Sequence, residues 1–280
     1  MNQVSPHVYI DPDYGGCSVG AIKTPEGVIL VDSPKQPTRA IRWREEVRRL
    51  GEIRYLINTE HHIDHIFGNF FFPGTIISHR ETKERFWKDS VLGPNPLKDP
   101  QGYVASIDPQ GVGLVAQYQA RDPEITFDGR LTLSLGGIAI EVFAMPGHVP
   151  ADTAVYVPED RVLFTSDNVF HETMTWYHEA LPFEWLETLD HFKRMDVEVV
   201  VPGHGRAAGP EVFDEMRRVV EEAIHEVQSA MDSGMSREEA MERITFIDRQ
   251  PVPVEHRPRA PKLQRLFVAR IYDQIQARRS

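Results

Sequence analysis

Four side chains able to bind a metal ion, Glu60, His62, Asp64 and His65, crowd into six consecutive positions. They follow an apolar run at residues 53–57 that has the length of a buried strand. A helix would bring only residues three or four apart onto one face, whereas a tight loop can turn all four side chains toward one point. Imidazole and carboxylate donors suit zinc, iron or manganese. The alternative interpretation is a solvated turn whose histidines occur by chance.

Three later apolar runs, each predicted as a strand, also lead to a residue that could bind a metal ion. These residues are His148, Asp167 and His204. A glycine directly precedes each of the two histidines, which lets the backbone bend sharply and approach closely. A single histidine of this kind would usually be structural. Three such strand exits after the first cluster indicate one shared metal centre.

Together with Asp32, which ends an earlier strand-like run, these segments resemble the ordered motifs of the metallo-β-lactamase superfamily. The resemblance covers roughly residues 5–210, and the set of motifs is specific although each motif alone is weak. It implies an α/β fold, the four-layer αβ/βα sandwich, with the metal centre at one edge of the two central sheets. Asp32 would orient the first ligand loop through hydrogen bonds.

The resemblance also implies two divalent metal ions, with zinc as the first expectation and manganese or iron as alternatives. Two such ions, about 3.5–4 Å apart, can hold a hydroxide that attacks a carbonyl or phosphoryl centre. Asp64 and Asp167 would accept the proton or orient that nucleophile. By this resemblance, His62 and His148 would bind the first ion. Asp64, His65 and His204 would bind the second ion, and Asp167 would bridge the two.

Glu60 departs from the family pattern, which usually reads His-x-His-x-Asp-His. Moving the frame to His61 would break the spacing to Asp64 and His65, so Glu60 stands in place of the first histidine. We predict that Glu60 is a ligand, and as a harder, anionic donor it favours iron or manganese relative to zinc. The alternative is that Glu60 points away and leaves the first site weak or empty. His61 is predicted to be a neighbour or a substrate contact rather than a ligand.

Further candidate catalytic groups, Tyr177 and His178, lie in an aromatic segment that follows Asp167. Either could donate a hydrogen bond to a developing oxyanion or protonate a leaving group. The aromatic residues of this segment suggest a partly apolar pocket for a small organic substrate. The alternative is that Trp176 and Tyr177 are ordinary core and rim aromatics.

The leading predicted function is a metal-dependent hydrolase that acts on a small organic ester, lactone or thioester. Two alternatives come from other classes: an iron-dependent oxidoreductase or dioxygenase on the same fold, and a non-catalytic binding member with an altered metal site. The sequence lacks Gly-rich phosphate loops of the Walker or dinucleotide type, which argues against nucleotide-driven chemistry. A true β-lactamase is disfavoured because no export signal is evident.

Composition and charge exclude several classes of partner. The chain has 280 residues and a formal net charge of −11 without a basic run, so nucleic acid is not an expected partner. The N-terminal residues lack the basic and apolar regions of a signal peptide, and no apolar stretch reaches the ~18–20 residues that span a bilayer. The single cysteine, Cys17, excludes an intramolecular disulfide framework and is expected to be a small buried residue. We therefore predict a cytoplasmic protein without a membrane partner.

The chain is predicted to divide near residue 210. Residues 1–210 form the metallo-β-lactamase-like domain, and residues 211–280 form a helical C-terminal extension with a capping box at Ser236. The extension is predicted to pack on the same domain or to form a homodimer interface, because an amphipathic helix needs an apolar partner. Residues 89–124 mix Pro, Gly, Asp and Gln with Val and Leu, which predicts a long irregular loop that acts as a lid, a substrate wall or a plain surface loop.

Overall fold

The computed structural model describes residues 1–11 and 16–279 and contains two large sheets. The first sheet has seven strands whose spatial order follows the chain. Its first three pairings are antiparallel and its last three are parallel. The strands are β1 (Asn2–Gln3), β2 (Val8–Asp11), β3 (Val19–Thr24), β4 (Gly27–Val31), β5 (Ile53–Asn58), β6 (Thr75–His79) and β7 (Ile125–Phe127).

The second sheet is built from later strands of the chain. These later strands are β8 (Arg130–Leu135), β9 (Ile138–Ala144), β10 (Thr153–Val157), β11 (Val162–Phe164), β12 (Phe170–His171), β13 (Val199–Val201) and β14 (His204–Gly205). Five of them form the second sheet in the order β13-β11-β10-β9-β8, in which only the β11–β13 pairing is parallel. The other two, β12 and β14, pair with each other in parallel.

Helices cover the outer faces of both sheets. They are α1 (Pro37–Val47), α2 (Ile63–Ile66), α3 (Arg80–Arg85), α4 (Pro100–Ile107), α5 (Pro182–Lys193), α6 (Val212–Asp232), α7 (Arg237–Arg243) and α8 (Ala260–Arg279). Short 3-10 helices occupy Phe67–Phe71, Pro96–Lys98, Pro109–Val115, Ser166–Asn168, Ile247–Arg249 and Val254–Arg259. None of the described helices combines the length with the apolar character that crossing a bilayer would require.

Three apolar clusters hold the layers together. One lies between the sheets, where Ile29 and Ile57 of the first sheet share a cluster with Val142 and Val155 of the second. Another joins the first sheet to α1 through the fully buried Trp43, and the last joins the second sheet to α5, α6 and α8. Both faces of the central strands are therefore covered, which explains their continuous apolar sequences. The arrangement confirms the four-layer αβ/βα sandwich.

The C-terminal helices share their core with the second sheet. Phe213 and Val220 of α6 and Phe267 and Ile271 of α8 are fully buried in the same cluster as Phe192 of α5. Burial of this kind removes several large apolar side chains from water at one continuous surface. This shared core supports the prediction that the C-terminal extension packs on the same domain.

The stretch predicted as a long irregular loop contains regular structure, so that prediction is wrong in part. Residues 96–115 form α4 and the two 3-10 helices that flank it. Asp99 caps α4 by accepting a hydrogen bond from the backbone N–H of Gly102 at 3.0 Å. Leu97 and Val104 are buried against the cluster of α1. Burial in the tertiary structure thus orders short helices that the local sequence indicates only weakly.

The capping box predicted at Ser236 is present. The Ser236 hydroxyl accepts from the Glu239 N–H at 3.3 Å, and the Glu239 carboxylate accepts from the Ser236 N–H at 2.9 Å. Ser236→Ala is therefore expected to lower the free energy of unfolding by about 1 kcal/mol, measured by urea denaturation. Ser229→Ala, at an exposed position inside α6, is the matched control and should cause no loss. Equal stability of the two variants would contradict the capping role.

Candidate metal centre

The predicted ligands lie on segments that leave the strands at one edge of the sheets. β5 leads into the loop that carries Glu60 and His62, and α2 follows directly. In the second sheet, β11 leads to Asp167, β13 leads to His204, and His148 lies between β9 and β10. Because β11 and β13 are parallel, their carboxyl ends meet at the same edge. The fold therefore brings distant parts of the chain to one place.

Asp64, His65 and His204 form one group of donor atoms. Nε2 of His204 lies 3.4 Å from Oδ2 of Asp64 and 3.3 Å from Oδ2 of Asp167. Nε2 of His65 lies 3.3 Å from Oδ1 of Asp167. Both oxygens of Asp167 thus border this group.

Glu60, His62, His148 and Asp167 form a second group, with one donor atom from each within 4.8 Å of the others. Nδ1 of His62 lies 2.8 Å from Oε2 of Glu60. Nε2 of His148 lies 3.4 Å from Nδ1 of His62 and 3.8 Å from Oδ2 of Asp167. The Glu60 carboxylate is fully buried and faces this group, which places it among the candidate ligands.

The hydrogen bonds around the cluster leave lone pairs directed into it. Nδ1 of His65 donates to Asp32 at 2.9 Å, and Nδ1 of His148 donates to the Trp176 carbonyl at 2.8 Å. Each ring therefore offers Nε2 as its donor atom, the arrangement typical of metal-binding histidines. Nε2 of His65 and Oδ1 of Asp167 are buried without a hydrogen-bond partner among the described residues. Buried atoms of this kind fit a bound cation.

The charges of the cluster keep its carboxyl groups ionised. Burial raises the pKa of Asp64, but Lys35, His65 and His204 outweigh burial and hold that pKa below its usual range. Burial likewise raises the pKa of Asp167, which His204 and His65 hold well below its usual range. Desolvation lowers the pKa of His65, but the carboxylates of Asp32, Asp167 and Glu60 raise it well above the ordinary value, so a metal ion at Nε2 would displace a proton. Ionised carboxylates are the form that binds metal ions.

Asp32 orients the ligand loop as expected. Its carboxylate accepts from the Thr59 N–H at 2.8 Å and from the Thr59 hydroxyl at 2.6 Å, in addition to Nδ1 of His65. The backbone of Asp32 has a φ of 57°, a left-handed conformation that few residues other than glycine adopt. The polar contacts of its side chain offset the cost of that conformation.

Of the two candidate catalytic groups in the aromatic segment, His178 lies beside the donor groups and Tyr177 does not. Nε2 of the buried His178 lies 3.1 Å from Nε2 of His62. The Tyr177 hydroxyl donates to the Val219 carbonyl at 3.4 Å, and its ring packs 5.8 Å from that of Phe267. Phe246 and Phe267 of the C-terminal extension pack against the ring, so Tyr177 lies in the core. Its placement matches the alternative interpretation, a core aromatic.

The C-terminal extension fixes the segment that carries residues 176–178. Gln250 accepts from the Thr175 N–H at 2.6 Å. Arg270 of α8 donates to the Ala180 carbonyl at 2.8 Å. These contacts hold the segment at both ends, so its position beside the cluster depends on the last part of the chain.

Glu179 is a neighbour of the centre that the sequence analysis did not identify. It accepts from Nη1 of Arg85 at 2.9 Å, and its carboxylate lies 3.4 Å from Nε2 of His61 and 3.7 Å from Nε2 of His62. Burial raises the pKa of Glu179, but the two histidines hold it below its usual range. The one signal in the sequence was its position directly after His178.

Cys17 is buried, as expected, and lies next to the cluster. Its thiol donates to the Asp64 carbonyl at 3.1 Å. Burial is the main cause that raises the pKa of Cys17 to about 12, so the thiol stays protonated at neutral pH. Cys17 therefore contacts the backbone of Asp64 as a small buried residue.

Comparison with known protein families agrees with this geometry. A sequence profile described as the metallo-beta-lactamase superfamily matches residues 12–204, well over half of the chain. The matched range includes every candidate ligand from Glu60 to His204. The chain belongs to the metallo-β-lactamase superfamily.

Two curated relatives of this superfamily member are much longer than it is. The chain is 25% identical over 257 residues to the linear primary-alkylsulfatase of Pseudomonas sp., which covers 80% of this chain and 49% of the relative. It is 28% identical over 195 residues to the 2,4-dinitroanisole O-demethylase subunit alpha of Nocardioides sp., which covers 66% of this chain and 51% of the relative. The chain therefore spans about half the length of the curated relatives it matches.

A solved structure shows the same fold. The stereoselective inverting sec-alkylsulfatase Pisa1 of Pseudomonas sp. superposes with a TM-score of 0.70 over 97% of this chain and 49% of that chain. The sequences are 14% identical, so this likeness shows the fold alone. Because nearly the whole chain is covered, the C-terminal helices belong to the shared fold as well.

Proposed function

We propose that this metallo-β-lactamase superfamily member is a metal-dependent hydrolase of a small organic ester, lactone or thioester. The observation that carries the proposal is the pair of donor groups that share Asp167. Nε2 of His65 and Oδ1 of Asp167 lie 3.3 Å apart, are buried and form no hydrogen bond among the described residues, an arrangement that a bound cation would satisfy. The family match and the alkylsulfatase relative support the hydrolase class.

The residues of the metal centre would have separate roles in the hydrolysis. When bound, two divalent ions would make water nucleophilic at neutral pH and polarise the oxygen that gains charge. Asp167, between the two donor groups, would orient the attacking water, and Asp64 would accept its proton. His178, 3.1 Å from His62, would donate a hydrogen bond to the leaving group. The ligand histidines are already oriented by their other ring nitrogens, which lowers the reorganisation that binding requires.

A sulfate ester is a second candidate substrate. The alignment with the linear primary-alkylsulfatase covers 80% of this chain, so it includes residues beyond the ligand motifs. Cleavage of a sulfate ester would use the same water-orienting carboxylates and the same leaving-group donor. A substrate panel can separate the two candidates directly.

The test uses chain purified with a chelator and then loaded separately with zinc, manganese or iron(II). Elemental analysis gives the ions bound per chain, and neutral esters, lactones, thioesters and alkyl sulfates give the reaction. We expect metal binding and turnover of at least one class, which EDTA abolishes. His225→Ala, which removes an exposed histidine of α6, should alter neither property. Loaded protein that hydrolyses no member of the panel would contradict the proposal, and oxygen consumption by the iron form would favour the oxidoreductase.

Glu60→His restores the residue that the family usually has at this position. We expect the substitution to raise zinc affinity about tenfold or more, because imidazole suits zinc better than the harder carboxylate does. Competition with a chromophoric zinc chelator measures the change. Glu52→His, at an exposed position, is the matched control and should bind zinc as the wild type does. Identical zinc titrations for the wild type and Glu60→His would count against ligation by Glu60.

A further inference from the structure

A cationic and aromatic cluster of the C-terminal extension lies beside the metal centre. The guanidinium carbon of Arg259 lies 5.4 Å from the ring centre of Trp176, a cation–π distance. The same guanidinium donates to Nδ1 of His256 at 3.0 Å, and the His256 ring meets Trp176 edge-on at 5.1 Å. Arg259 is therefore held in place although its side chain is exposed. Within the described part of the chain it forms no ion pair with a carboxylate.

Trp176 connects this cluster to the candidate ligands. Its carbonyl accepts the hydrogen bond that orients His148. Its ring lies 5.8 Å from the ring of His178, which in turn stacks 4.8 Å from the ring of His62. Arg259 is thus connected to His62 through the rings of Trp176 and His178.

Tyr103 of α4 forms a second aromatic side of the same region. Its ring packs 5.1 Å from that of Phe67, which directly follows α2. Burial raises the pKa of Tyr103, the charge of Asp64 raises it further, and the charge of Arg259 opposes both. The charges of Asp64 and Arg259 thus both act on Tyr103.

Arg259 is a local cation on a protein whose overall charge is negative. The chain has a formal net charge of −11, and its general field repels anions. Arg259 offers a planar fork of donors that matches the oxygens of a carboxylate or sulfate group. The half-buried Trp176 ring offers apolar surface next to the guanidinium. Together they suit a molecule that is apolar at one part and anionic at another.

We propose that Arg259 and Trp176 form a subsite that binds an oxyanion, carboxylate or sulfate, attached to an apolar part of the substrate. The apolar part lies on the Trp176 ring, and the oxyanion takes donors of Arg259. The inference rests on the proposed hydrolase function and deepens it, because it names an anionic organic ester as the substrate class. Recognition by the subsite can be measured separately from turnover.

The binding test uses zinc-loaded full-length chain and three small probes. Phenylacetate and phenylmethanesulfonate carry the two kinds of oxyanion, and phenylacetamide is the neutral counterpart. We expect Arg259→Gln to weaken calorimetric binding of at least one anion about tenfold and to leave phenylacetamide unchanged. Which anion responds identifies the preferred oxyanion. Any direct contact of a probe with zinc is common to the wild type and the variant, so it cancels in their ratio.

Arg257→Gln is the matched control, because it removes the same charge from an exposed position two residues away. It should bind all three probes as the wild type does. Unchanged anion binding by Arg259→Gln, or equal losses in both variants, would overturn the subsite.

A kinetic comparison separates this inference from the proposed function. 4-Nitrophenyl hemisuccinate and 4-nitrophenyl acetate share a leaving group and differ in the anion. We expect Arg259→Gln to lower kcat/KM about tenfold for the hemisuccinate only. If the wild type hydrolyses neither ester nor any other panel member, the proposed function fails, whereas the binding ratios still decide the subsite.

Discussion

Asp167→Asn is expected to abolish hydrolysis and to remove at least one bound metal ion per chain. The carboxylate of Asp167 borders both donor groups. Oδ1 lies 3.3 Å from Nε2 of His65, and Oδ2 lies 3.3 Å from Nε2 of His204 and 3.8 Å from Nε2 of His148. Asparagine has the same shape but no charge, and one of its terminal atoms is a donor instead of an acceptor. The variant therefore tests the bridge without leaving a cavity.

We expect kcat/KM to fall at least about 1,000-fold, which is about 4 kcal/mol of transition-state stabilisation. The measurements are elemental analysis and turnover of the best substrate of the panel. Asp190→Asn makes the same change at a partly exposed carboxylate that pairs with Arg217 on the outer helices, and it should retain metal and activity. Asp167→Asn protein with full metal content and near-normal turnover would rule out a bridging role.

Phe267→Ala is expected to cost about 3–5 kcal/mol of the free energy of unfolding. The Phe267 ring is fully buried and lies 5.9 Å from the ring of Trp176 and 5.8 Å from that of Tyr177. Truncation would leave a cavity between α8 and the segment that lines the metal centre. Urea denaturation monitored by tryptophan fluorescence gives the stability.

Because the C-terminal helices share one core with the second sheet, the destabilised protein should still unfold in a single transition. Leu266→Ala, at the half-buried neighbouring position, is the control and should cost clearly less. A separate early transition of the C-terminal helices, or a loss below about 1 kcal/mol for Phe267→Ala, would show that residues 211–280 are not part of the same cooperative unit.

The convergence of the ligands could be predicted from the sequence because its signals are local. His148, Asp167 and His204 each follow an apolar run that forms a strand, and the fold directs the ends of those strands to one edge. The four-layer sandwich was implied by the resemblance of these ordered motifs to the metallo-β-lactamase superfamily. Glu60 could also be aligned with the first histidine of the family motif, because only this alignment keeps the spacing to Asp64 and His65.

Other parts of the site depend on contacts that no local pattern reveals. Arg85 and Glu179 form an ion pair although they lie 94 positions apart in the chain. The sequence around either residue therefore does not predict the other as its partner. The direction of Tyr177 is decided by the helices that pack against it and not by its neighbours in sequence. α4 is similar, since burial of Val104 in a distant cluster orders a helix of eight residues whose own propensity is weak.

The anchoring of residues 176–178 by Gln250 and Arg270 separates two kinds of change that the protein can accept. Every candidate ligand lies between residues 60 and 204, whereas the groups that hold Trp176 and approach it come from residues 246–270. With the proposed subsite, substitutions in the last part of the chain would change which substrates bind without altering the metal donors. Substrate selectivity and metal-dependent reactivity would then depend on different parts of the chain, so each could change in evolution without the other.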